Sequence, residues 1–182
     1  MTGKRKLRRE LRARVEALSP AEKRRQSTEL CDRLLADPDL ARAKTLGVYL
    51  ALPDEPDLAT ALLTFLQRGV RLALPVPEPH EDWRFRHIRD LAPHSQGPWG
   101  LSLPEPGEPI DASQLDAVLV PGRGFTPDGH RLGRGKGIYD RLLHPRPARA
   151  IGIAFTCQRV ASLPREPHDI QLHEVWTAHT SE

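Results

Sequence analysis

Leu7, Leu11, Val15 and Leu18 recur every three or four residues, the narrow apolar stripe of an amphipathic helix that must pack on something. Ser19-Pro20-Ala21-Glu22 reads as a restart, with Ser19 as N-cap, Pro20 at the first helical position and Glu22 completing a capping box. Leu30, Leu34 and Leu35 supply the apolar side of this second helix, which ends before Pro38. From residue 46 the pattern changes. Short apolar runs at 46–50, 70–74, 115–120 and 150–155 read as buried strands, and 58–67 reads as a helix that stops at Gly69. The alternation predicts an α/β fold: a single three-layer domain over 1–182, with a central, mostly parallel sheet and helices on both faces. Ligands of such sheets gather at the carboxyl ends of the strands.

Residues 75–109 hold eight prolines, interrupted by Trp83–Ile88, whose alternation suits a half-exposed strand. A linker is one reading. Trp83, Phe85, Ile88, Trp99, Leu101 and Leu103 are costly to leave in water, which favours an ordered excursion over the domain.

Charge adds a second pattern. Residues 1–33 carry eleven Lys or Arg against five acids, whereas the rest of the chain carries sixteen against nineteen, so the net +3 belongs to one end. An anionic partner there, or a solvated helix face, would fit. No apolar run approaches the length of a membrane-spanning helix, and no hydrophobic stretch follows the basic start, which reads against a secretory signal. Cys31 and Cys157 stand far apart, so neither a disulfide framework nor structural zinc is indicated and the expected setting is reducing and cytoplasmic. His80, His87 and His94 lack a helical frame for metal ligation, and His173-Glu174 with His179 is not H-E-x-x-H.

The chemistry concentrates in 118–141, where six glycines fall within residues 122–137 and Arg131, Arg134 and Lys136 bring positive charge to the same point. A glycine-rich turn between a buried strand and a helix start can cradle phosphate, although a flexible surface turn has the same composition. Neither a Walker A loop nor a G-x-G-x-x-G fingerprint is present. Asp140 and Asp169 are candidate magnesium carboxylates, against readings as an arginine partner and a turn residue.

Val120-Pro121-Gly122 to Phe125, followed by Arg131-Leu132-Gly133-Arg134-Gly135-Lys136-Gly137-Ile138-Tyr139-Asp140, resembles the signature of the 5-formyltetrahydrofolate cyclo-ligase family. Four further segments agree in order and spacing: Lys4 to Arg8, Tyr49-Leu50 with Asp54-Glu55, Trp99-Gly100 with Pro104-Glu105-Pro106, and Gln158 with Leu163-Pro164 to His168-Asp169. The resemblance implies ATP- and magnesium-dependent closure of 5-formyltetrahydrofolate, with or without a polyglutamate tail, to 5,10-methenyltetrahydrofolate. It implies ATP contacts at Lys4, Arg8, Arg131, Leu132, Gly133, Arg134, Gly135, Lys136, Gly137, Ile138 and Tyr139, with Arg134 and Lys136 as catalytic charge stabilisers. Leu50, Glu55, Trp99 and Tyr139 match folate-contacting positions, and Asp140 and Asp169 match the Mg2+ positions. A monomer without nucleic-acid or membrane partners is expected. The alternatives are a basic nucleic-acid-binding protein and another ATP-dependent kinase or ligase built on the same loop. Three positions depart from the family pattern: Ile138 replaces the first of two adjacent tyrosines, Thr126 stands where aspartate is common, and Arg123 is unusual between Gly122 and Gly124.

Overall fold

The computed structural model describes residues 3–166 and 169–178; Pro167 and His168 of the family-matched segment lie outside them, as does His179. Helix α1 (Gly3–Glu16) buries Leu11 and Val15, and α2 (Pro20–Ala36) buries Leu30 and Leu34. Ser19 Oγ accepts from the Glu22 amide at 3.1 Å, as an N-cap should. Glu22 turns its carboxylate to Arg25 and Gln26, so only one half of the expected capping box forms. Strand β1 (Thr45–Gly47) and α3 (Ala59–Gln67) follow, then β2 (Arg71–Pro77) and β3 (Trp83–Ile88). The Pro-rich excursion is ordered and contributes β4 (Ser95–Gln96), β5 (Ser102–Leu103) and β6 (Pro109–Ile110). The chain continues through β7 (Ala117–Val120), β8 (Gly124–Phe125), β9 (Arg131–Leu132), α4 (Ile138–Leu142), β10 (Ala150–Ala154) and β11 (Glu174–Thr177).

Among the described residues seven strands form one sheet in the order β11-β10-β7-β1-β2-β3-β6. Neighbours from β11 to β2 are parallel, while β3 and β6 add antiparallel at one edge. The mostly parallel sheet with helices agrees with the expected α/β class. Two differences have local causes. The run at 46–50 pairs only over Thr45–Gly47, because the chain beyond leaves through a turn containing Pro53 and Pro56. Strand β2 extends through Pro75 and Pro77, since its pairing with β1 ends at Ala73 and opens one side of the strand to residues without an N–H. Strand β11 went unanticipated because Glu174 and Thr177 flank only two apolar residues.

The side-chain alternation of the strands sorts the core into two faces. Leu46, Val48, Leu72, Leu74, Leu119, Ile151 and Ile153 pack with Leu30, Leu34, Leu62 and Phe65 from α2 and α3. Ala73, Phe85, Val118, Val120 and Ala150 face Phe125, Leu142 and Leu143. Helices therefore lie on both faces, but the second layer is thin: α4 has five residues, and the β8–β9 ribbon supplies much of the cover. Helix α1 joins neither face. Its Leu11 packs with Leu132 and Leu163 in a separate apolar cluster. No described helix is long and apolar enough to cross a membrane.

Arg149 ties the end of α2 to the β10–β11 edge, donating to Asp37 at 2.8 Å and Glu174 at 2.6 Å while its guanidinium lies 5.4 Å from the Trp176 ring centre. Burial favours protonation of both carboxyls, but the hydrogen bonds from Arg149 and neighbouring groups outweigh it and hold both below their ordinary values of 3.8 and 4.5. Carboxyls lowered on folding contribute stability above their unfolded values and lose it as pH falls through the folded ones. Arg149→Gln is expected to cost about 1–2 kcal/mol at neutral pH, with the gap to wild type narrowing below about pH 4, read by urea titration across pH.

Candidate active site

The site is built at the carboxyl end of β7, where the chain turns through Pro121-Gly122 into the β8–β9 ribbon. Buried Gln158 fixes that turn: its Nε2 donates to the Gly122 carbonyl at 2.9 Å and its Oε1 accepts from the Phe155 amide at 2.8 Å. Phe125 is fully buried beneath. Thr126, at the family's usual aspartate position, closes the next turn by accepting from the His130 amide at 3.0 Å. Gly129 stands in that turn at φ +90°, and an added Cβ would lie 2.3 Å from the Leu172 carbonyl oxygen.

Gly124 seats α1 on this ribbon. A Cβ there would lie 2.5 Å from Leu11 Cδ1, so the absence of a side chain lets the helix approach. Because Lys4, Arg8 and Leu11 are spaced at i, i+4 and i+7, burying Leu11 brings Lys4 and Arg8 over the loop after β9. Arg8 Nε donates to the Gly133 carbonyl at 2.8 Å. Lys4 Nζ lies 2.8 Å from Asp169 and 2.9 Å from Glu166. Burial works against the Lys4 charge, but these two acids outweigh it and raise the pKa, so the ammonium persists.

The loop's own cations are also engaged. Arg131, almost fully enclosed, donates to Asp140 Oδ1 at 2.7 Å and lies 5.4 Å from the Tyr139 ring centre. Arg134 reaches across to the 50–55 segment, donating to Glu55 Oε1 at 2.8 Å and to Asp54 Oδ1. Lys136 Nζ stands 5.6 Å from the Trp99 ring centre, and no acid among the described residues lies within ion-pair reach of it. Trp99 in turn stacks on Trp83, ring centres 5.7 Å apart and planes within 16°.

The 50–55 segment is held from below. The buried Tyr49 hydroxyl donates to the Pro56 carbonyl at 2.9 Å, and Glu55 Oε2 accepts from the Leu52 amide at 3.1 Å. Burial, followed by the negative charge of Glu55, pushes both Tyr49 and Tyr139 phenols upward, so each remains a neutral hydroxyl.

One cleft gathers all the sequence-predicted residues: Lys4, Arg8, Leu50, Glu55, Trp99, the loop 131–139, Asp140 and Asp169. Ile138 lies on its wall as the first residue of α4. Sequence reasoning did not assign Trp83, Glu166 or Asp54. The alternating pattern around Trp83 could have flagged it, and Asp54 adjoins a predicted residue, whereas nothing local marks Glu166 as the partner of Lys4. Among the described residues no group of three or more His, Cys, Asp or Glu could hold a metal on its own. Asp140 and Asp169 nevertheless lie together, since the Ile170 amide donates to Asp140 Oδ1 at 3.4 Å. Chemically, the cleft offers five basic side chains and a glycine loop beside an aromatic and aliphatic wall that includes Trp83, Trp99, Leu101 and Tyr139.

Fold and cleft together define an α/β protein with a basic, glycine-rich loop beside an apolar, aromatic pocket. The 5-formyltetrahydrofolate cyclo-ligase family model matches residues 1–178. The chain belongs to this family of enzymes. It is 30% identical over 189 residues to the 5-formyltetrahydrofolate cyclo-ligase of Mus musculus, covering 96% of this chain and 93% of the relative. It is also 30% identical over 178 residues to that of Escherichia coli K12, covering 92% and 96%. The NMR structure of Aquifex aeolicus 5,10-methenyltetrahydrofolate synthetase superposes with a TM-score of 0.84 at 29% identity, covering 96% of this chain and 89% of that one.

The seating of α1 has a direct test. Gly124→Ala is expected to cost about 1–3 kcal/mol by overpacking and Leu11→Ala about 2–5 kcal/mol by leaving a void. Because the new methyl would occupy space that Leu11 vacates, the double variant should cost clearly less than the two combined, as measured by urea denaturation.

Proposed function

We propose that the enzyme closes 5-formyltetrahydrofolate to 5,10-methenyltetrahydrofolate at the expense of ATP, with the triphosphate on the 131–139 loop and the folate against the Trp99 wall. The observation that carries this reading is the convergence of both residue sets on one cleft, with Lys136 touching both. The formyl oxygen of an N-formyl group is a weak nucleophile and a poor leaving group. Transfer of the γ-phosphoryl group to it creates a phosphate ester, and ADP departs. N10 then attacks the activated carbon, the C–O bond breaks with loss of phosphate, and the N10 proton is released.

Little covalent work falls to the protein in such a sequence, so positioning and charge stabilisation dominate. Lys4, Arg8, Arg131, Arg134 and Lys136 supply positive charge for the phosphates, Arg134 and Lys136 for the group in transfer, and the backbone amides of the loop supply donors. Glu55 accepts from the pterin N–H groups, Leu50 packs on the ring, and Trp99 and Tyr139 line its face. A magnesium ion, when bound with the nucleotide, neutralises phosphate charge. Asp140 and Asp169 would hold it, and they fit a metal completed by phosphate and water rather than an all-protein cage. Both hydrogen bonds onto Asp140 fall on Oδ1. The unpaired cysteines Cys31 and Cys157 suit a cytoplasmic setting. Lys4 and Arg8 serve this cleft, so part of the basic N-terminal charge is committed to a nucleotide rather than to an external polyanion.

Incubation with 5-formyltetrahydrofolate, ATP and magnesium should generate the near-ultraviolet absorbance of the methenyl product. Lys136→Ala and Asp140→Asn should each lower kcat/KM by about a hundredfold or more with the fold intact by circular dichroism. A well-folded wild type that forms no product would refute the reading.

A further inference from the structure

Asp54 sits where two guanidinium groups meet. It pairs with Arg123, the residue that departs from the family pattern, and with Arg134, which also grips Glu55. All four side chains are largely enclosed, the most exposed being Arg134 at 23%. Two positive and two negative charges therefore form a network linking the 122–124 turn, the 131–139 loop and the 50–55 segment, with Arg8, Arg12 and Glu16 near enough to act on Arg123. Burial, followed by the positive charges of Arg134 and Arg12, pushes Arg123 down to about 10, which still leaves it charged at neutral pH.

On the proposed function, the two substrates compete for members of this network. Folate needs Glu55 as an acceptor, and phosphate draws on Arg134. Neither group waits unpaired: each holds the other at 2.8 Å. The first ligand to bind must break that contact, and the second then finds its own group already released. Linkage makes the effect reciprocal.

We infer that Asp54 and Arg123 are positioning residues that set the strength of the Arg134–Glu55 contact and thereby the mutual dependence of folate and nucleotide binding. Asp54 gives Arg134 a second carboxylate to retain when folate takes Glu55. Without it, folate must strip Arg134 of its last carboxylate unless phosphate receives the guanidinium. Arg123 competes with Arg134 for Asp54. Without Arg123, Asp54 holds Arg134 more firmly and loosens its grip on Glu55.

The two substitutions therefore act in opposite directions. Affinity for 5-formyltetrahydrofolate would be measured by calorimetry with and without magnesium and a non-hydrolysable ATP analogue. Wild type should bind folate at least about fivefold tighter with the analogue present. Asp54→Asn should weaken folate binding by about tenfold without the analogue and by much less with it, so that the coupling grows. Arg123→Gln should shrink the coupling towards one. Equal losses with and without the analogue, or unchanged coupling in both variants, would overturn the inference. Should Asp54→Asn fail to fold, the Arg123→Gln result decides alone. Absence of wild-type turnover counts against the proposed function instead, and so separates the two failures.

Discussion

The close approach of Leu11 to Gly124 is the contact on which the cleft depends. Helix α1 has little apolar surface and lies outside both faces of the sheet. Its placement rests on a small cluster formed with Leu132 and Leu163, and the missing side chain at Gly124 permits the necessary depth. Everything else about the helix follows from its geometry. With Leu11 fixed, Lys4 and Arg8 can lie only on the adjoining stripe, where one meets Asp169 and Glu166 and the other meets the Gly133 carbonyl. A segment that carries much of the chain's positive charge is thus anchored by dispersion and apolar burial, and its electrostatics are consequences of that anchoring.

The charges in the cleft are paired before any ligand arrives. Arg131 holds Asp140, Lys4 holds Asp169 and Arg134 holds Glu55. Leaving such groups unpaired in a half-enclosed space would cost desolvation without compensation. On the proposed function, pairing also means that an incoming phosphate or pterin exchanges one charged partner for another, so affinity is a difference between two sets of contacts. Lys136 and Arg8 have no carboxylate partner among the described residues: Lys136 lies against the Trp99 face and Arg8 donates to the Gly133 carbonyl.

How much of this was legible in sequence depended on the range of the interactions. The α2 cap, the α3 stop at Gly69 and the four apolar strands are local signals and lie close to where the pattern puts them. The short β1 and the polar β11 were not legible, because pairing partners rather than local composition decide where a strand ends. Within the cleft, residue types and spacing marked the loop and offered Asp140, while Asp169, which spacing alone reads as a turn residue, was marked by the family resemblance. The links Lys4–Glu166 and Arg134–Asp54 join segments far apart in the chain, and a sequence pattern carries no distance between them. Arg123 shows the same limit: as a letter it is a departure from the family pattern, and only its neighbours give it a role.

Trp99 brings these arguments together. It is one of the few large apolar residues left exposed, at 46%, and it adopts the left-handed conformation at φ +58°, which costs a residue with a Cβ roughly 1 kcal/mol or more. Stacking on Trp83 and contact with Lys136 offset that cost. Backbone hydrogen bonds across the same turn, from the Gly97 amide to the Leu101 carbonyl at 2.7 Å and from the Leu101 amide to the Pro98 carbonyl at 3.3 Å, hold the conformation as well, and one of the two ring neighbours belongs to the glycine loop. A displacement of Lys136 towards phosphate would remove part of what holds the Trp99 backbone in this region. The wall of the apolar pocket and the charge of the loop thus meet at one strained residue and the two side chains beside its ring.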